Sequence, residues 1–207
     1  MPLIRKGGDA PAPTGGDEPA GKLRSTSPDE RWAAARALSG RPEALASLTA
    51  ALATEQDPRV REALLTGLAR IGTPQGAAAI VPLIRSDDAS LRTGAIDALR
   101  VMPAAALAGP LDSLLSDPET DVRILACDLA RALPAPQATR LLCGLLAREP
   151  EANVCAAAAD VLAECGEPDA LPALAACAER FVQVPFLVFA LRVAGDRIRA
   201  QTPVQDG

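Results

Sequence analysis

Apolar residues in this chain recur at helical spacing, and the same spacing is written several times. Counting from Val60, the residues 3, 4, 7, 8 and 11 further on are Ala63, Leu64, Gly67, Leu68 and Ile71. From Leu91 the same count gives Gly94, Ala95, Ala98, Leu99 and Met102, and from Val122 it gives Leu125, Ala126, Leu129, Ala130 and Leu133. From Val154 it gives Ala157, Ala158, Val161, Leu162 and Cys165. At 100° per residue these positions form one stripe on one face, so each stretch predicts an amphipathic helix. Glu30 opens an equivalent stretch, and the five starts are separated by 30, 31, 31 and 32 residues.

A second helix is predicted after each of these, in "RPEALASLTAAL", "TPQGAAAIVPLI", "MPAAALAGPLDSLL", "APQATRLLCGLL" and "EPDALPALAACA". Pro42, Pro74, Pro136 and Pro168 fall in first turns, where no N–H donor is needed. Asp57-Pro58 and Asp117-Pro118 open the following turns, with Asp expected as the helix cap. One such pair cannot bury its stripe alone, whereas stacked pairs form a continuous core. The expected architecture is therefore an all-α stack of about five helix pairs over residues 27–200. Residues 1–26, Gly/Pro-rich and without an apolar period, are expected to form a disordered arm, and 201–207 a short tail.

The segment "RFVQVPFLVFALRVAGDRIRA" holds three of the four aromatic residues, and Pro185 can open a nearly all-apolar helix in it. The expectation is a C-terminal cap over the end of the stack. The alternative is an exposed docking patch at Phe186 and Phe189 for a partner or a second copy. A membrane span is disfavoured, because Gln183 and Arg192 interrupt a short run.

Composition narrows the chemistry. There is no His and no Tyr. That removes Ser-His-Asp and Cys-His pairs and His-ligated zinc, so no catalytic residue, metal or cofactor is expected. The five cysteines lie in the last two units without CxxC spacing. Cys127, Cys143, Cys165 and Cys177 occupy positions that are aliphatic in other units and read as small core hydrophobes; Cys155 instead replaces an Arg. Reduced thiols and the lack of a secretory or spanning segment point to the cytoplasm. The net charge of −5 divides into +1 over residues 1–26 and −6 over the rest. An acidic body is a poor match for nucleic acid or an anionic membrane.

With an acidic turn, then Val-Arg, then Ala and Leu at helical spacing, "DPRVREALLTGLARIG" and "DPETDVRILACDLARAL" resemble HEAT repeats of the short bacterial type. That type also occurs in phycobilin lyase subunits. The resemblance covers roughly residues 27–180 in five units; the TPR and ankyrin patterns are absent. It implies a right-handed α-α superhelix whose Val-Arg helices line the concave face.

Two ladders of side chains follow. Arg31, Arg61, Arg92 and Arg123 each sit one residue after a helix start and are expected to bond the turn Asp of a neighbouring unit. Asp97, Asp128 and Asp160 sit six residues after their starts, off the apolar stripe. Arg100 and Arg131, three residues further on, are placed to neutralise the first two in exposed pairs of little energetic weight. The other reading of Asp97, Arg100, Asp128, Arg131 and Asp160 is a partner-binding row that recognises a basic protein segment.

The resulting functional expectation is a non-enzymatic adaptor, scaffold or assembly factor that binds another protein. The second reading is a subunit or relative of a HEAT-type bilin lyase or cofactor-maturation factor, against which stands the scarcity of aromatics to stack a tetrapyrrole.

Overall fold

The computed structural model describes residues 18–201. Twelve α-helices follow in order: α1 Glu18–Lys22, α2 Pro28–Leu38, α3 Leu45–Leu52, α4 Pro58–Ile71, α5 Pro74–Ile80, α6 Ala89–Arg100, α7 Ala104–Leu114, α8 Thr120–Leu129, α9 Ala135–Arg148, α10 Ala152–Cys165, α11 Leu171–Arg180 and α12 Pro185–Gln201. Short 3₁₀ turns join or extend several of them, at Pro42–Ala44, Val81–Arg85, Ala130–Ala132 and Pro168–Ala170. Among the described residues there is no strand.

The local chemistry of the boundaries is legible. Asp57 caps α4 by accepting from the N–H groups of Arg59 and Val60, and Asp88 caps α6 by accepting from Ser90 and Leu91. Thr73 caps α5 through Gly76 N–H. Each satisfies donors that the first helical turn leaves without a partner. Gly72 ends α4 in the left-handed region at φ 64°, where a side chain would be strained.

Helices α2, α4, α6, α8, α10 and α12 form one layer, here called the first helices. Helices α3, α5, α7, α9 and α11 form the other. The predicted stripes face inward between the layers: Leu64, Leu68 and Leu99 are wholly buried, and Leu129 almost so. Facing them from the second layer are Leu48, Ile80, Leu107, Leu111, Leu142 and Leu145. Removing a Leu side chain of this kind from water stabilises the fold by about 1.5–3 kcal/mol, and the repeat supplies such a residue in every unit.

The structure changes three expectations. The first concerns the arm. Residues 18–22 form α1, which packs on α2, and Leu23 is only 6% exposed in the core. The ordered unit thus begins before residue 27; residues 1–17 lie outside the described residues, as do 202–207. The second concerns Asp117. It does not cap α8, which starts at Thr120 with Glu119 as N-cap. Asp117 occupies the turn two residues earlier, where it accepts from Glu119 N–H and pairs with Arg85.

The third is α12. Its buried residues are Leu187, Leu191, Ala194, Gly195 and Ile198, which is the 0, 4, 7, 8, 11 pattern of a first helix, starting 33 residues after Val154. The C-terminal helix is a cap, but one built as a sixth first helix in register with the others. Five residues after the start, where Leu65, Ile96, Cys127 and Ala159 stand in α4, α6, α8 and α10, α12 carries exposed Arg192. A charged residue thus stands on α12 where the other first helices place an apolar or small residue against their neighbour.

Candidate functional site

The Arg ladder was expected to tie units together, and it does so through a shared turn. Five residues before each first-helix start stand Ser25, Glu55, Ser86, Asp117 and Glu149. The ladder Arg six residues later donates to the backbone carbonyl of that residue: Arg31 to Ser25, Arg61 to Glu55, Arg92 to Ser86 and Arg123 to Asp117. The turn residue's own side chain accepts from N–H groups just ahead of it, as Glu55 does from Gln56 and Asp57.

The same Arg reaches forward to the next unit. Arg31 makes a bidentate pair with Glu55 at 2.7 and 2.9 Å, and Arg123 makes one with Glu149 at 2.8 and 2.9 Å. Arg61 pairs with the capping Asp88 at 2.9 Å. The expected turn Asp is thus the partner in one case only. The buried carboxylates Glu55 and Glu149 were missed, although the polar residue recurring five places before each start was the available signal. Hydrogen bonding from Arg31 holds the Glu55 carboxyl down at about 2, against the opposing effect of burial.

In the fifth unit Cys155 takes the ladder position, and its thiol donates to the Glu149 carbonyl at 3.7 Å. The missing guanidinium is supplied by Arg180 from α11, which donates to the carbonyls of Leu146, Ala147 and Glu149. Burial pushes the Cys127 and Cys155 thiols up to about 12, so at neutral pH they are protonated and poor nucleophiles or ligands. Among the described residues no group of Cys, Asp and Glu is arranged to hold a metal ion.

The second ladder forms a continuous network. Arg100 pairs with Asp97 at 3.3 Å within α6 and with Asp128 of α8 at 2.8 Å. Arg131 pairs with Asp128 at 3.2 Å and crosses to Asp160 of α10 at 2.7 Å, and it also pairs with Glu164. Sequence reasoning found the two pairs within a unit but not the two cross-unit rungs, and it did not include Glu164. All five predicted residues are brought into one row, with Asp97 and Asp160 about two-thirds exposed. Four carboxylates share two guanidinium groups along it.

At the ends of the first-helix layer lie the aromatics. Trp32 on α2 is flanked by Arg36 and Arg59, whose guanidinium carbons are 4.7 and 5.0 Å from the ring centroid. Phe186 and Phe189 on α12 are 53% and 59% exposed. In register they match Arg59 and Glu62 of α4, so they sit on the same side as the ion-paired row, beyond its α10 end.

Between α4 and α6 a groove of about 1000 Å³ opens on that side. Glu62, Thr66, Asp97, Leu65, Ala98 and Val101 are among its lining residues. No helix among the described residues is long and apolar enough to cross a membrane.

The chain is similar to several solved repeat structures. An engineered protein is 18% identical over 89% of this chain and 98% of its own, with a TM-score of 0.46. A designed armadillo repeat protein is 18% identical over 87% and 98%, with a TM-score of 0.43. The complex of CpcE and CpcF of phycocyanin lyase from Nostoc sp. is 18% identical over 95% and 100%, with a TM-score of 0.40. No curated protein matches the sequence. The family model for HEAT repeats matches residues 20–100 and 107–182, which together are most of the chain, and the protein accordingly belongs to the HEAT-repeat family.

Proposed function

We propose that this protein is a non-enzymatic scaffold that binds another protein along the exposed side of its first helices. The observation that carries this reading is the row Asp97–Arg100–Asp128–Arg131–Asp160. It is continuous over three helices, largely solvated, and richer in carboxylates than in bases. Exposed ion pairs of this kind add only about 0–1 kcal/mol each to stability, so stability alone gives little reason for the row. A basic segment lying across it gains carboxylate partners that Arg100 and Arg131 satisfy only in part. Such attraction speeds encounter and weakens with salt, since charges are screened over about 8 Å at physiological ionic strength.

The test combines partner capture with two sets of substitutions. Asp97→Asn, Asp128→Asn and Asp160→Asn together are expected to leave the circular dichroism spectrum and melting temperature nearly unchanged. They are expected to abolish salt-sensitive capture of the native partner. Phe186→Asp with Phe189→Asp should leave capture intact. Capture that survives the Asn triple and is lost in the folded Phe double would move the docking site to α12.

A further inference from the structure

The ion-paired row lacks one rung. Each rung joins the residue nine places into one first helix to the residue six places into the next: Arg100 to Asp128, and Arg131 to Asp160. By the same register, position 69 on α4 would join Asp97 on α6, but residue 69 is alanine. Among the described residues Asp97 is held only within its own helix, by Arg100 at 3.3 Å, and that guanidinium also serves Asp128. Beside the missing rung a groove opens between α4 and α6. Leu65, Ala98 and Val101 give it an apolar lining, and Val101 is 74% exposed. Gly94 lets the two helices close the groove at its base, since a Cβ there would lie 3.1 Å from Leu65 Cδ1. Glu62 stands on the α4 wall and makes no ion pair among the described residues.

We infer that this groove receives an arginine side chain of a partner protein segment, which completes the missing rung. Its guanidinium takes the place that a base at position 69 would hold beside Asp97, and its aliphatic stem lies along the groove toward Val101. Arginine fits better than lysine, because its planar fork can bond one carboxylate through two N–H groups while its stem stays on apolar surface. Arg70 lines the same groove and pairs with no carboxylate among the described residues. It calls for an acidic residue near the anchor, so the segment is of mixed charge. This assignment rests on the scaffold reading and names the chemistry of its partner.

The experiment titrates the isotope-labelled full chain with a capped heptapeptide carrying one Arg and one Glu among Ala and Leu, followed by amide NMR shifts. A control peptide has Gln in place of Arg. Binding on the order of 1 mM is expected for a single anchor of this kind, with shifts confined to α4 and α6 and at least tenfold weaker binding of the Gln peptide. Ala69→Arg builds the rung from within and is expected to abolish binding; because Ala69 is only 5% exposed, circular dichroism first checks that the variant folds. Asp97→Asn, at an exposed position, supplies the same loss if Ala69→Arg does not fold. Equal binding of the two peptides, or undiminished binding by folded Ala69→Arg, overturns the slot. With the native partner the two readings separate. Capture lost in Asp128→Asn/Asp160→Asn but unaffected by Ala69→Arg refutes the slot and keeps the row. Capture that survives both sets refutes the row.

Discussion

A single buried carboxylate links two units in this stack. Glu55 accepts a bidentate bond from Arg31 and two backbone N–H bonds from the turn it opens. Its folded pKa of about 2 lies below its ordinary 4.5. The unfolded chain therefore binds the proton more readily, and the stability owed to Glu55 is complete above about pH 4.5 and is lost as pH falls toward 2. Glu55→Gln is expected to lower stability at neutral pH by about 3 kcal/mol, as for a broken buried pair. It should also flatten the loss between pH 4.5 and 2, which urea melts at a series of pH values would show. A slope as steep as wild type would place the acid sensitivity elsewhere. The Arg half of this device was legible in the sequence, because it recurs one residue after each start. The acid half was not, because a carboxylate three residues before the helix reads as an ordinary loop residue beside a more conspicuous capping Asp. The repair of the Cys155 gap by Arg180 was hidden for a related reason: 25 residues separate the two positions, and only the packing of α11 brings them together.

At the level of elements, the pattern of positions determined the ten helices of the five pairs and the C-terminal capping helix, but not α1 or the register of α12. Helix α1 is "EPAGK", with Pro and Gly in five residues, and no local propensity recommends it. Packing forms it: Leu23 fills the open edge of the first unit, and the carbonyls of Ser25 and Thr26 accept from Arg31. A chain beginning at Ser27 is therefore expected to melt at a lower temperature than the full protein. Leu23→Ala should reproduce most of that loss, about 1.5–3 kcal/mol for one buried Leu. Identical melting of the two lengths would mean that α1 adds nothing to the stack. At the other end, the high apolar content of α12 suggested a cap, and its register as a sixth first helix lay in Leu187, Leu191, Ala194 and Ile198. Phe186 and Phe189 mask that period, because they add apolar residues on the exposed side of the helix. The row of Asp97, Asp128 and Asp160 was visible as a row, whereas its rungs depend on how far one helix is offset from the next, which a single strand of text does not give.

For the whole molecule, a repeat stack is only as cooperative as its weakest interface, since stability is close to a sum of terms between neighbours. That interface lies between α6 and α8. Helix α8 packs well on α10 and on α7 but meets α6 only sparsely. Arg92, the ladder residue of α6, makes no ion pair among the described residues, because the Asp117 it would meet is paired with Arg85. Pro110 interrupts the hydrogen bonding inside α7. Leu68→Ala, which empties a wholly buried site in α4, is expected to cost about 2–4 kcal/mol from lost burial and a residual cavity. With weak coupling across α6 and α8, that loss should be confined to the N-terminal half. Native-state hydrogen exchange would then show faster exchange in α2, α4 and α5 while the amides of α10 and α12 keep their wild-type protection. Equal loss of protection at both ends would show one cooperative unit, with Arg100–Asp128 and the α7–α8 contact coupling the halves more strongly than their packing indicates.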